Sequence, residues 1–119
     1  MSRQTTHAVF KITTASDWTV AEKSGQFSGS RDDVRDGYIH LSTAAQARET
    51  AARHFAGQDG LVLVALDTLQ LGAVLKWEPS RGGALFPHLY APLRVALVLW
   101  VKPLPRDAAG RHIFPLEIE

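Results

Sequence analysis

GYIHLSTAAQ, residues 37–46, decides how the rest of the chain is read. Tyr38, His40 and Ser42 alternate with Ile39 and Leu41, the period of a strand with two unlike faces. Thr43 followed three residues later by Gln46 matches a capping box, so a helix is expected directly after the strand. In that helix Ala47, Ala51 and Phe55 share one face at four-residue spacing, and Glu49 is placed to pair with Arg53. Gly57 and the Gln58-Asp59-Gly60 turn close it. The Ile39/Leu41 face is expected to be buried beneath this helix, which puts His40 on the opposite face between a phenol and a hydroxyl. An imidazole so placed is either fixed by neighbouring side chains or turned toward a ligand.

Upstream, HAVFKI (7–12) alternates with Ala8, Phe10 and Ile12 on one face and reads as a strand. Ser16 or Asp17 can cap a short helix through Lys23, ended by Gly25. Residues 25–37, GQFSGSRDDVRDG, are polar and aperiodic, so a loop is expected, either ligand-binding or disordered. Arg31 and Arg35 in it are placed to clamp an anion, but the favoured reading is that Asp32, Asp33 and Asp36 neutralise them. Downstream, LVLVAL (61–66) and VALVLWV (95–101) are continuous apolar runs, expected in the middle of a sheet covered on both faces. Residues 73–77 alternate as a half-exposed strand. LFPHLYAPL (85–93) carries two prolines and is expected to be an edge segment or an ordered loop. HIFPLEIE, at the end, reads as a last edge strand. The order of elements argues for one α+β domain over residues 1–119, with a core at about 7–104 and an extension over 105–119.

The chain of 119 residues is 45% hydrophobic and 21% charged, too apolar for disorder. A formal net charge of +1 supplies no basic field for nucleic acid or an anionic membrane. With no cysteine, disulfides, thiolate catalysis and cysteine-based zinc sites are excluded. No apolar run reaches the length of a membrane span and no signal-peptide pattern opens the chain, so a cytoplasmic protein is expected. The five histidines show no HxxxH or HExxH spacing, and no metal site is expected. Nucleophile-elbow, dinucleotide and P-loop motifs do not occur.

Two clusters carry chemistry. One is Tyr38, His40 and Ser42. In the other, Phe86, His88 and Tyr90 project to one side of an extended segment stiffened by Pro87 and Pro92, where aromatic faces beside imidazoles suit a flat ligand ring. Glu78, at a strand end before a glycine-bearing loop, is placed either to polarise a hydroxyl or to pair weakly with Lys76. His40-Leu41-Ser42 also resembles one half of the paired His-x-Ser/Thr signature of two-histidine phosphoesterases; the nearest second half reads His88-Leu89-Tyr90.

Phe10-Lys11-Ile12-Thr13, Trp18, Gly25, GYIHLSTAAQ, LKWEP and LFPHLYAPL together resemble the bacterial family called domain of unknown function 952, over nearly the whole chain to about Leu104. That family is similar in architecture to ADP-ribosyltransferases, including those that remove a 2′-phosphate from spliced tRNA with NAD. The resemblance implies a split, mixed or antiparallel sheet with two main helices and a nucleotide cleft where two strands splay apart. It places His40 and Ser42 in that cleft, Lys11 where the transferases carry a ribose-holding histidine, and Glu78 as the best match to their final glutamate. Lys11 would meet a phosphate or carboxylate as a point charge.

The resulting expectation is a small-molecule site for a nucleotide-like or sugar-phosphate ligand, with NAD as the candidate cofactor of a transferase-like enzyme. His40, Glu78 and His88 are the candidate catalytic residues; Lys11, Tyr38, Ser42, Phe86 and Tyr90 are the candidate ligand-binding residues. Two alternatives stand beside it: a non-catalytic module binding a nucleotide, peptide or protein through the FPHLYAPL edge, and a histidine acid–base phosphoesterase. Whether His40 and His88 open onto one hollow separates them.

Overall fold

The expected capping box forms: Thr43 Oγ1 accepts from the Gln46 N–H at 3.2 Å, and Gln46 Oε1 accepts from the Thr43 N–H at 3.1 Å. In the computed structural model, which describes residues 7–118, the elements run β1 (Ala8–Thr14), α1 (Ala15–Ser24), β2 (Gln26–Phe27), α2 (Arg31–Asp36), β3 (Ile39–His40), α3 (Ala44–His54), β4 (Leu61–Asp67), α4 (Thr68–Leu71), β5 (Leu75–Pro79), β6 (Leu85–Leu89), β7 (Leu93–Arg94) and β8 (Val98–Pro103). They form sheets of order β1–β4–β8, β2–β7 and β3–β6–β5. Every ladder is antiparallel, so the architecture is α+β with no parallel pairing among the described strands.

β4 is covered on both faces, as its unbroken apolar run requires. Leu61, Leu63 and Ala65 pack with Phe10, Ile12 and the small Ala47 and Ala51 of α3. Val64 and Leu66 pack on the other side with Val9 and with Trp18 and Ala21 of α1. Each fully buried leucine here contributes about 2 kcal/mol. α1 and α3 therefore cover opposite faces of one sheet, and the Glu49–Arg53 pair (2.9 Å) stays on the solvent side of α3.

Residues 39–42 join two sheets. Ile39 and His40 pair with Leu89 and His88 of β6, and the Leu41 N–H then donates to Pro87 O at 3.0 Å. One residue further on, Ser42 has changed partner: it exchanges backbone hydrogen bonds of 2.8 and 2.9 Å with Phe10 of β1. Pro87 has no N–H to return to Leu41, so the β3–β6 ladder stops there and the chain crosses over.

That proline also explains a difference from the sequence reading. LFPHL lies in the middle strand β6, between β3 and β5, and not at an edge. Its missing N–H falls at the end of β3, so only the return bond to Leu41 is absent. Conversely, residues 95–101 do not form a central strand. Val95–Leu97 is a 3-10 turn and β8 lies at the edge of its sheet; its apolar character is still used, with Val98 and Val101 against one core and Trp100 against the other. The Ile39/Leu41 face is buried, but against Trp18 and Ala21 on the α1 side and not beneath α3. At 73–77 a 3-10 turn over Gly72–Val74 delays the strand to Leu75. Of HIFPLEIE, the described residues 112–118 form no strand: His112 makes a single bridge with Arg106, and Ile118 enters the core from a 3-10 turn. Among the described residues no helix is long and apolar enough to cross a membrane.

Candidate functional site

The segment expected to be an irregular loop holds α2, and the reason is local. Ser30 and Asp33 cap each other reciprocally, the Asp33 N–H donating to Ser30 Oγ and the Ser30 N–H to Asp33 Oδ2 (2.8 Å). Aspartate takes the place usually held by Glu or Gln in this box. Gly37, at φ 88°, supplies the left-handed stop. Six residues, five of them charged, cannot hold a helix unaided. What anchors α2 is the Asp33 side chain, 1% exposed, which points inward.

Lys11 meets it there. The lysine lies on β1 between Val9 and Thr13 and is itself buried, with Nζ 2.8 Å from Asp33 Oδ2 and 3.2 Å from His40 O. Burial pushes the Lys11 pKa down, and the charge of Asp33 opposes that shift. For Asp33 burial acts upward, yet hydrogen bonds from His40 and the Lys11 charge prevail and hold the carboxyl well below the usual range. Asp33 Oδ1 also receives both the His40 backbone N–H (3.0 Å) and His40 Nδ1 (2.7 Å). One carboxylate thus fixes a lysine, the α2 start and both the main chain and ring of His40.

The other ring nitrogen of His40, Nε2, lies 3.0 Å from Asp36 Oδ2. Both contacts are hydrogen bonds at once only when each nitrogen carries a proton, the imidazolium form. Asp36 is held below its ordinary pKa by the hydrogen bond from Arg35 and by the charges beside it.

His88 is built differently. It is directly opposite His40 in the β3–β6 register, with ring centroids 5.7 Å apart in an edge-on arrangement. Its Nδ1 is 2.7 Å from Glu78 Oε1, a diagonal neighbour on β5, and the same oxygen accepts from Tyr90 OH at 2.8 Å. Those two hydrogen bonds, from His88 first, lower the Glu78 pKa, while the Tyr90 phenol is raised by donating to a carboxylate. With Nδ1 committed, Nε2 is the nitrogen His88 can offer a ligand. The Tyr38 ring stacks on His88 at 4.1 Å and lies 4.7 Å from His40.

Both imidazoles line one cavity of about 250 Å³. Lys11, Ser42 and Phe86 share its wall, so five of the eight expected site residues meet there; Tyr38, Glu78 and Tyr90 do not line it, Glu78 and Tyr90 supporting His88 and Tyr38 packing on both imidazoles. Arg35, Asp33 and Asp36 come from α2, and Thr50, His54 and Phe55 from the end of α3. Ser42 Oγ lies 3.0 Å from Thr50 Oγ1. Lys11, expected to face a ligand anion, has its ammonium on Asp33. Asp33 and Asp36, read from sequence only as neutralising the arginines, are the central residues missed; Ser30-x-x-Asp33 followed by Gly37 was the signal that would have placed them on a helix. Among the described residues no group of three or more His, Asp or Glu side chains is arranged to hold a metal ion.

Residues 12–101 match the family model described as Protein of unknown function (DUF952). Protein CC0527 from Caulobacter crescentus is similar throughout. Its crystal structure is 49% identical with a TM-score of 0.86, over 89% of this chain and 93% of that one. Its solution NMR structure is 50% identical with a TM-score of 0.81, over 88% and 90%. No curated protein matches the chain.

Proposed function

The chain belongs to the DUF952 family, and we propose that its cavity binds a nucleotide-like or sugar-phosphate small molecule on which His40 and His88 act as a general acid–base pair. One observation carries this reading. Two imidazoles paired across β3–β6 open onto the same cavity, each with Nδ1 on a carboxylate that fixes its orientation. Their environments differ in the way an acid and a base need. His40 sits between two carboxylates as a proton donor; His88 has one, leaving Nε2 to accept. The cavity is just below the usual range for small-molecule sites, about 300–1,000 Å³, and suits a sugar with its phosphate or a single ring.

A second reading, an NAD-dependent transferase of ADP-ribosyltransferase-like fold, is favoured by the aromatic face of Phe86 in the cavity wall and by the crossing of residues 39–42 between sheets. In it Glu78 serves through His88 and does not touch the reacting carbon. The interaction-module reading loses its edge, because β6 is a central strand.

Calorimetric titration with NAD, ADP-ribose, ribose 5-phosphate and cyclic nucleotides tests the site. At least one is expected to bind, with affinity reduced about tenfold or more in His40→Ala and His88→Ala, the loss expected when a charged hydrogen bond goes. Silence from every compound, or equal binding by both variants, overturns the proposal. Release of nicotinamide from NAD selects the transferase; hydrolysis of a phosphate ester with a bell-shaped pH–rate profile selects acid–base phosphoester chemistry.

A further inference from the structure

The atom of His40 that a ligand must reach is already occupied. Nδ1 belongs to Asp33, and Nε2 is covered by Asp36 Oδ2 at 3.0 Å. Asp36 is also gripped by Arg35, whose Nε donates to Oδ1 at 2.9 Å and whose Nη2 donates to Oδ2 at 3.3 Å. Two roughly parallel N–H donors from one guanidinium plus an imidazole N–H form the pattern by which proteins hold a carboxylate or a phosphate. Arg35, Asp36 and His40 all line the cavity.

The two carboxylates on His40 are not equivalent. Asp33 is sealed in the interior with Lys11, whereas the Asp36 side chain is 31% exposed at the C-terminus of α2, beside Gly37. Removing Asp36 without replacement leaves the Arg35 guanidinium and the His40 Nε2 without the oxyanion they share. Replacing it with another oxyanion restores a partner to both. Asp32, 3.2 Å from Arg35, balances the guanidinium but does not contact His40 in the described geometry.

We propose that Asp36 is a built-in stand-in for an oxyanion of the ligand, a phosphate or a carboxylate, which binds by displacing Asp36 from His40 and Arg35. The inference rests on the reading of this cavity as a small-molecule site and assigns the ligand's oxyanion to the place Asp36 now holds.

The test titrates inorganic phosphate and, separately, acetate into the intact protein while the His40 and His88 ring signals are followed by NMR. Asp36→Ala is expected to bind one of the two about fivefold more tightly than wild type, the equilibrium equivalent of one exposed ion pair at the upper end of its range. Asp36→Asn, which keeps the size and loses the charge, repeats the gain and guards against an effect of altered packing. Asp32→Ala removes the same charge from Arg35 without freeing His40 and is expected to change affinity by less than about twofold. Arg35→Ala is expected to weaken binding. Equal tightening in Asp32→Ala and Asp36→Ala would reduce the effect to general charge and overturn the displacement. So would an Asp36→Ala that binds no better than wild type. If wild type binds a nucleotide or sugar phosphate through its histidines and Asp36→Ala shows no gain, only the displacement fails. If neither protein binds any probe, the site itself fails with it. Preference for phosphate over acetate, or the reverse, identifies which oxyanion the ligand carries.

Discussion

His40 and His88 face each other across an antiparallel strand pair, and each rests its Nδ1 on a carboxylate 2.7 Å away, Asp33 for one and Glu78 for the other. The two supports come from opposite directions. Asp33 arrives from a short helix and is buried, while Glu78 arrives from the neighbouring strand and stays at the surface. The arrangement fixes the separation of the imidazoles through the sheet register and their orientations through two independent anchors.

Removing Asp33 leaves the Lys11 ammonium buried beside no counter-charge, a loss of the kind that costs about 3–5 kcal/mol. Asp33→Ala is therefore expected to lower the unfolding free energy by about 3 kcal/mol in urea, against less than about 0.5 kcal/mol for Asp32→Ala, whose side chain is 65% exposed. Similar losses in the two variants would show that the interior pair does not hold the fold.

Acid should unfold the protein through the same residue. In the unfolded chain an aspartate titrates near about 3.9. In the fold Asp33 stays ionised to lower pH. Between those two values the unfolded state binds more protons, so the stability that Asp33 contributes is complete above about pH 5 and declines as pH falls toward its folded pKa. Urea midpoints measured from about pH 6 to pH 3 should fall steeply in wild type and more shallowly in Asp33→Asn. Parallel slopes would assign the acid sensitivity elsewhere.

Glu78→Gln separates positioning from charge. In wild type the carboxylate accepts a hydrogen bond from His88 Nδ1–H and so selects one neutral tautomer. A glutamine presents either its oxygen or its amide, and the selection is lost. Long-range proton–nitrogen NMR spectra in alkaline buffer are expected to show a single His88 tautomer in wild type and a mixture in the variant, with ligand affinity falling less than in His88→Ala. An unchanged tautomer in Glu78→Gln would remove Glu78 from the site.

Tyr38 should matter through its ring and not its hydroxyl. Stacked at 4.1 Å on His88 and 4.7 Å from His40, it holds both imidazoles laterally. Loss of such ring contacts costs about 0.5–1.5 kcal/mol beyond lost burial. Tyr38→Ala is expected to lower stability by at least that amount and to broaden both histidine signals, while Tyr38→Phe preserves both. A Phe variant as damaged as the Ala variant would point to the hydroxyl.

Gly37 tests how the position of α2 is set. A Cβ there meets nothing within 4 Å, so Gly37→Ala carries only the strain of φ 88°. That strain is about 1–2 kcal/mol for an L residue. The thermal midpoint should drop accordingly, and contacts at Asp36, one residue away, should weaken before those at Asp33.

The sequence made the α3 cap and the central strand readable because each rests on neighbours in the chain; the start of α1, read at Ser16 or Asp17, is instead capped by Thr14, whose Oγ1 accepts from the Asp17 N–H at 3.1 Å. Thr43 with Gln46 needed four residues, and the burial of residues 61–66 on both faces followed from their unbroken apolar character. α2 was hidden for the opposite reason: every side chain in it except Val34 is charged, and the one that is buried is an aspartate. Its partner Lys11 lies 22 residues away, whereas Arg31 and Arg35 lie close by and offered an easier pairing. Pro87 misled because a proline usually marks an edge, and only the short β3 shows that its missing donor falls where that ladder ends. The histidines could be singled out because each sits among apolar residues with polar neighbours at alternate positions; the carboxylates that hold them could not, since pairing across a fold leaves no local trace.

Asp33 secures the interior and aims His40 with the same two oxygens, so durability and the proposed ligand recognition cannot be tuned independently at this position. A laboratory selection that asks only for thermal robustness will preserve the recognition machinery without being told to. One that asks only for altered recognition will find this residue closed to change and will have to work at Asp36, where the chain meets solvent.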